Sequence, residues 1–200
     1  MGKKKRNRKT NKSRYLSFEG YDEKVLYNFL YDLYELEKNN IKVDKPKIPP
    51  GGNQASILRG AIKNCNTGRD MCVAWFDDDF KIKNKDQHEN FIEALSRIWK
   101  CEIEKDIEYK NLQKTYNENC DKEPILIVSN PCSFEGLILR IFDKKIPEKL
   151  TTDNLKKAVD GLFGKLKDTE YYKKYLTKEL LEKKRKEIYE LDLLLKIFEN

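Results

Sequence analysis

Three consecutive carboxylates, Asp77, Asp78 and Asp79, end an apolar run of strand length, Val73-Ala74-Trp75-Phe76. Apolar runs bounded in this way read as buried parallel strands, and ligands of open α/β sheets gather beyond strand carboxyl ends. Acids packed this closely repel one another and resist ionisation unless a cation lies among them, and divalent cations take oxygen ligands of this kind. A divalent-metal site is therefore the first expectation. The plainer alternative is that Asp77 to Asp79 open a solvated loop and cap the next helix. Two further acids stand in similar positions. Glu19 follows Arg14-Tyr15-Leu16-Ser17-Phe18, a short strand, and precedes a helix opened by Asp22 and Glu23. Glu135 stands just past Pro124-Ile125-Leu126-Ile127-Val128, although the first turn of any helix favours an acid there. On a parallel sheet Glu19, Asp77, Asp79 and Glu135 would converge on one edge.

The elements that must position these acids alternate along the chain. A helix is expected from Asp22 to about Lys38, with Val25, Leu26, Phe29, Leu30, Leu33 and Leu36 in one stripe and Tyr27, Tyr31 and Tyr34 packing beside it. Ile41-Lys42-Val43 is a candidate strand, and Asn53 is placed to cap a helix over residues 54–65 with Ile57, Leu58, Ala61 and Ile62 inward. Met71 to Phe76 is the next strand, followed by a helix from Lys85 to about Glu104 with His88 at its polar start. Residues 105–122 are polar, with weak helical periodicity, and read as an insertion or mobile segment. After the Pro124–Val128 strand, Phe134 opens an apolar helix. Beyond Pro147 one charged helix is expected over residues 152–166 and another from Tyr171 towards Phe198. In the second, Leu176, Leu180, Ile188, Leu191, Leu195 and Phe198 form a stripe for the body or for a partner helix. Strands alternating with helices imply a parallel-rich sheet with right-handed crossovers.

Composition narrows the function classes. The chain has 200 residues, 38% of them charged, and a net charge of +7. Residues 1–14 carry eight Lys and Arg and no acid, leaving 33 basic and 34 acidic residues elsewhere. The surplus is a flexible tail, suited to nucleic-acid phosphates or simply to solubility. Five dispersed cysteines without a CxxC pair fit a reducing cytoplasm and argue against zinc. A single histidine makes His-based sites poor candidates, and no apolar stretch reaches membrane-spanning length. Gly51-Gly52 fits neither a Walker A loop nor GxGxxG. A receiver-like domain would carry an acidic pair after the first strand and a Lys after the last, where this chain has Glu19-Gly20 and Ser129-Asn130.

Glu19-Gly20-Tyr21-Asp22-Glu23, Asp77-Asp78-Asp79-Phe80 and Ser129-Asn130-Pro131-Cys132-Ser133-Phe134-Glu135 stand in an order and spacing that resemble the RloB family, including the AbiLii proteins of abortive-infection loci. Members open with a basic tail, a strand and an EGxxE element, continue with a strand ending in DxD, and then show an SNPCFE-like signature. The resemblance spans roughly residues 1–145. Ser133 is inserted within the signature, Leu137 replaces a usual tryptophan, and Ile141 stands where a histidine is expected.

The resemblance implies a basic tail over residues 1–13, a Toprim-like α/β domain over 14–146 and a helical C-terminal extension over 147–200. It implies a metal-dependent endonuclease acting in bacterial anti-phage defence. Asp77 and Asp79 would hold Mg²⁺ or Mn²⁺, Glu19 would complete the coordination or act as general acid/base, and Glu135 could bind a second metal. Glu23, Asp78, Lys81 and Lys83 form a second tier, the lysines as phosphate contacts. Lys3, Lys4, Lys5, Arg6, Arg8 and Lys9 would lie on nucleic acid, with RNA such as tRNA favoured. An ABC-type ATPase partner follows by the same resemblance, and the C-terminal helices are a candidate homo-oligomer interface. The alternative is a non-catalytic Toprim-like module that holds nucleic acid or the ATPase.

Overall fold

Runs of β-branched and aromatic residues become strands here, all of them parallel. The computed structural model describes residues 12–36, 41–43, 54–78, 89, 91–93, 95–97, 102–103, 113, 124–164 and 169–199. Within these, β1 is Lys12–Phe18, β2 Ile41–Val43, β3 Met71–Asp77 and β4 Ile125–Ser129. They form one sheet in the order β2-β1-β3-β4. The chain leaves β1 to one side for β2, then returns on the other side for β3, so the switch point lies between β1 and β3. Phe18 pairs with Trp75, and Asp77 with Ser129, which brings the three strand ends level.

Side chains alternate across the sheet and load both faces. Leu16, Phe18, Val73, Trp75 and Ile127 share a core with α1 (Tyr21–Leu33) and α3 (Phe134–Ile141). Ala74, Phe76, Leu126 and Val128 meet Ile57, Leu58 and Ala61 of α2 (Gln54–Cys65) on the other face. Phe91, Ile92 and Leu95 join this second core. The expected α/β architecture, a parallel sheet flanked by helices, is what the structure has.

Several bounds differ from expectation. β1 starts two residues earlier, β3 takes in Asp77, and α1 stops at Leu33, after which Glu35 turns left-handed at φ 50°. The helix expected from Tyr171 to Phe198 is instead three, α5 (Thr169–Tyr175), α6 (Lys178–Lys184) and α7 (Tyr189–Lys196), preceded by α4 (Thr152–Phe163). Thr177 makes one break: its extended backbone stops α5, and its hydroxyl accepts from the Leu180 N–H at 3.2 Å to start α6. The breaks fold the apolar stripe inward. Leu176, Ile188, Leu191, Leu195 and Phe198 are buried in the same core as α1, so the stripe is covered within the chain.

Arg14, counted with the basic surplus but read as the start of the first strand, lies within β1 and is buried. It is 3% exposed and donates from Nη1 to the Lys196 carbonyl at 3.5 Å and from Nη2 to the Glu199 carbonyl. Both carbonyls lie at or just beyond the end of α7, so a buried cation from β1 secures the chain where the helix stops. Lys3, Lys4, Lys5, Arg6, Arg8 and Lys9, together with Asp79, Lys81, Lys83 and His88, lie outside the described residues, as do most of residues 85–122.

Candidate functional site

Glu19, the first residue past β1, accepts a hydrogen bond at Oε2 from the backbone N–H of Asp77, at 3.1 Å. Asp77, the last residue of β3, accepts at Oδ1 from the N–H of Phe134, at 2.8 Å. Phe134 is the first residue of α3, and Ser133 in the N-cap position makes no side-chain cap bond. Asp77 therefore caps a helix, as the plainer reading of the triplet supposed. The helix is α3, across the sheet edge, rather than the one next in sequence. Ser133 instead donates its hydroxyl to Glu135 Oε2 at 2.6 Å, and Glu135 is 4% exposed. Three segments far apart in sequence are thus tied together by carboxylates at the sheet edge.

The turn that carries Glu135 is tightly built. A Cβ on Gly136 would lie 2.1 Å from the Pro131 carbonyl oxygen, so only glycine allows α3 to start this close. Phe134 packs on Trp75 with ring centroids 5.9 Å apart, and the Trp75 indole N–H donates to the Ser129 hydroxyl at 2.9 Å. Leu137 and Ile141, two of the departures from the resembled signature, are fully buried core residues.

Glu23 lies deepest. It is the third residue of α1, 3% exposed, with its carboxylate folded over Gly20, where an added Cβ would lie 2.5 Å from Oε2. Burial pushes its carboxyl up to about 8; a backbone hydrogen bond opposes this, and the charges of Glu19, Asp22 and Glu135 add to it. Glu23, placed in the second tier by sequence, is an acid that its buried surroundings hold well above the ordinary carboxylate range.

Two residues of the C-terminal extension reach this cluster. Lys156 of α4 places Nζ 3.9 Å from Glu135 Oε1. Tyr172 of α5 is fully buried against Phe29, at 5.6 Å between centroids, and its hydroxyl has no hydrogen-bond partner among the described residues. Burial, then the charges of Asp22, Glu23 and Glu135, hold its phenol above the ordinary range. Sequence reading named neither. Ser133 did carry a local signal, a serine immediately before a helix. Lys156 and Tyr172 carried none, because their relation to the acids is purely tertiary.

The site's donors are carboxylate oxygens, which suit a hard cation such as Mg²⁺ or Mn²⁺. Among the described residues, however, no three acids are gathered closely enough to hold an ion as they stand. Asp78 is half-buried at the start of the following segment, and Asp79 lies outside the described residues.

No family model matches the chain, and neither does any curated protein or solved structure. The likeness to the RloB family therefore rests on the motifs themselves. Among the described residues no helix is long and apolar enough to cross a membrane.

Proposed function

We propose that the protein is a cytoplasmic, metal-dependent endonuclease of the Toprim type, cleaving phosphodiester bonds in RNA such as tRNA, as an effector of bacterial anti-phage defence. The observation that carries the reading is the Glu19–Asp77 contact at the β1/β3 switch point, to which Glu135 is joined through the start of α3. Ligands of open parallel sheets bind at this place. Glu19, Asp77 and Glu135, with Asp79, are the residues that would hold Mg²⁺ or Mn²⁺. Held there, such an ion would supply the Lewis-acid chemistry of phosphodiester hydrolysis, at the scissile phosphate, the attacking water and the leaving oxygen. Glu23, its carboxyl pushed up to about 8, would serve in this reading as a second-tier acid that lends a proton to a leaving group. Lys156, beside Glu135, supplies a cation for a substrate phosphate.

The second reading is a non-catalytic Toprim-like module binding nucleic acid or an ABC-type ATPase. The deciding experiment incubates the protein with total RNA and with plasmid DNA, in Mg²⁺, Mn²⁺ or EDTA, beside Asp77→Asn. Asparagine keeps an oxygen for the Phe134 N–H while removing the charge, so folding and catalysis are separated. Metal-dependent cutting that the variant loses supports the nuclease. Binding without cutting, equal in both proteins and unchanged by adding an ABC-type ATPase, supports the module.

A further inference from the structure

The face of the sheet away from α1 and α3 carries a polar group where the helix pattern expects an apolar one. α2 packs on this face through Ile57, Leu58 and Ala61. Gln54, the first residue of α2, stands three, four and seven positions before them and so begins the same inward stripe. It is 0% exposed, and neither its amide oxygen nor its amide nitrogen has a hydrogen-bond partner among the described residues. A buried amide left idle costs stability that an apolar side chain would not. A donor and an acceptor kept idle together therefore point to a ligand that supplies both.

The fold fixes where that amide lies. β2 and β3 are both parallel to β1, so α2, the crossover between them, runs antiparallel to the strands and starts at the carboxyl edge of the sheet. Gly60 of α2 stands over β1, where an added Cβ would lie 3.6 Å from the Ser17 hydroxyl oxygen. Gln54, six residues earlier, lies about 9 Å further toward that edge, nearly three strand residues past Ser17. This is the height of Glu19 and Asp77. Helical side chains lean toward the N-terminus, which carries the amide on past the start of α2. The Ser17 hydroxyl, also buried without a partner among the described residues, lies too far down the strand to be its mate.

We propose that Gln54 binds the edge of an unpaired nucleobase beside the scissile phosphate, a role that rests on the nuclease reading above. A phosphate offers acceptors only and would leave the amide oxygen facing negative charge. A base edge offers a donor and an acceptor side by side in one plane, and a glutamine amide meets that pattern with two hydrogen bonds. Bases read in this way are splayed out of a stack, as in single-stranded loops and bulges. α1 and α3 lie on the opposite face of the sheet, so the base and the acids approach the shared edge from different sides.

The test measures binding by the full chain in EDTA, so that its outcome does not depend on metal-dependent cutting. Single-stranded RNA probes of equal length, carrying only adenine, only cytosine, only uracil or no base at all, are titrated by fluorescence anisotropy. All four have the same phosphates. The wild type should bind at least one base-bearing probe about tenfold more tightly than the abasic one. Gln54→Met, close in shape but without an amide, should lose that difference and keep the abasic affinity. Urea unfolding should find the variant no less stable than the wild type, since the amide it removes was unpaired. Gln54→Leu repeats the comparison if Gln54→Met fails to fold. A wild type that binds all four probes alike, or none, overturns the proposal, and so does a base preference that survives in the folded variant. Base-dependent binding that the variant loses, in a protein that never cuts, would sink the nuclease reading while leaving Gln54 as a base-binding residue.

Discussion

Glutamine at position 23 should make the protein more stable at alkaline pH. Glu23 is buried beside Glu19, Asp22 and Glu135, and its carboxyl is pushed from an ordinary 4.5 up to about 8. A raised carboxyl pKa means that the native state holds a proton that the unfolded chain releases between those two values. The favourable balance is present in full below pH 4.5, shrinks as pH rises, and is gone once pH passes 8. At 1.36 kcal/mol per pH unit the difference amounts to about 5 kcal/mol. Opening of the first turn of α1 to water relieves part of it, and a measured gap of about 2–4 kcal/mol is expected. Glu23→Gln has nearly the same shape and no charge to bury. Urea unfolding of both proteins in EDTA, from pH 4.5 to 9, should show curves that coincide at the acid end, separate as pH rises above about 5, and run parallel once pH passes 8. A difference constant across the range, or a variant less stable than wild type at pH 8.5, would refute the burial argument. Acids kept at such cost are characteristic of functional sites.

The remaining predictions concern the edge around Glu23. Gly136→Ala forces a Cβ to within 2.1 Å of a backbone oxygen, and thermal unfolding should register a loss of about 2–3 kcal/mol. Asp77→Asn should stay within about 0.5 kcal/mol of wild type, while Asp77→Ala should lose about 1 kcal/mol with the cap on α3. Equal stability of the two in denaturant melts would show that the cap contributes nothing. Both should abolish metal-dependent cleavage. Lys156→Met removes a half-exposed ion pair worth no more than about 1 kcal/mol to folding. Its effect should appear in RNA binding, where fluorescence anisotropy across a salt series should give a slope lower by about 1.

The strands were legible because buried parallel strands are written as uninterrupted apolar runs, and strand ends on one parallel sheet must share an edge. The contacts that tie Glu19, Asp77 and the start of α3 lie at that edge, while Asp79, expected there too, is outside the described residues. α2 was legible to the residue, since Asn53 and the Ile57, Leu58, Ala61 stripe mark it locally. The C-terminal helices were not, because Thr177 interrupts a run of strong helix formers, and one threonine is a weak stop signal on its own. Arg14 was read as the start of the first strand, and the structure keeps it there, but its burial was not foreseen. Its partners are carbonyls more than 180 residues away, and no local pattern records them. Lys156 and Tyr172 belong to the same class, recognisable as one exposed and one buried helical residue but not as neighbours of the acids.

Arg14 has a consequence for the order in which the molecule can be completed. Tyr27 and Tyr34 of the α1 segment are roofed by Phe198, at 5.7 Å from each ring, and Arg14 holds the carbonyls just beside it. The first strand and helix therefore emerge with half of their core uncovered. At about 5–20 residues per second, the stretch from Phe134 to Glu199 takes roughly 3–13 seconds to synthesise. For that interval the sheet edge already carries Glu19, Asp77 and Glu135 but lacks Lys156 and then Tyr172. A nascent chain thus holds its acids before it holds the groups that surround them, and the cluster takes its final surroundings only after the C-terminal helices have been made.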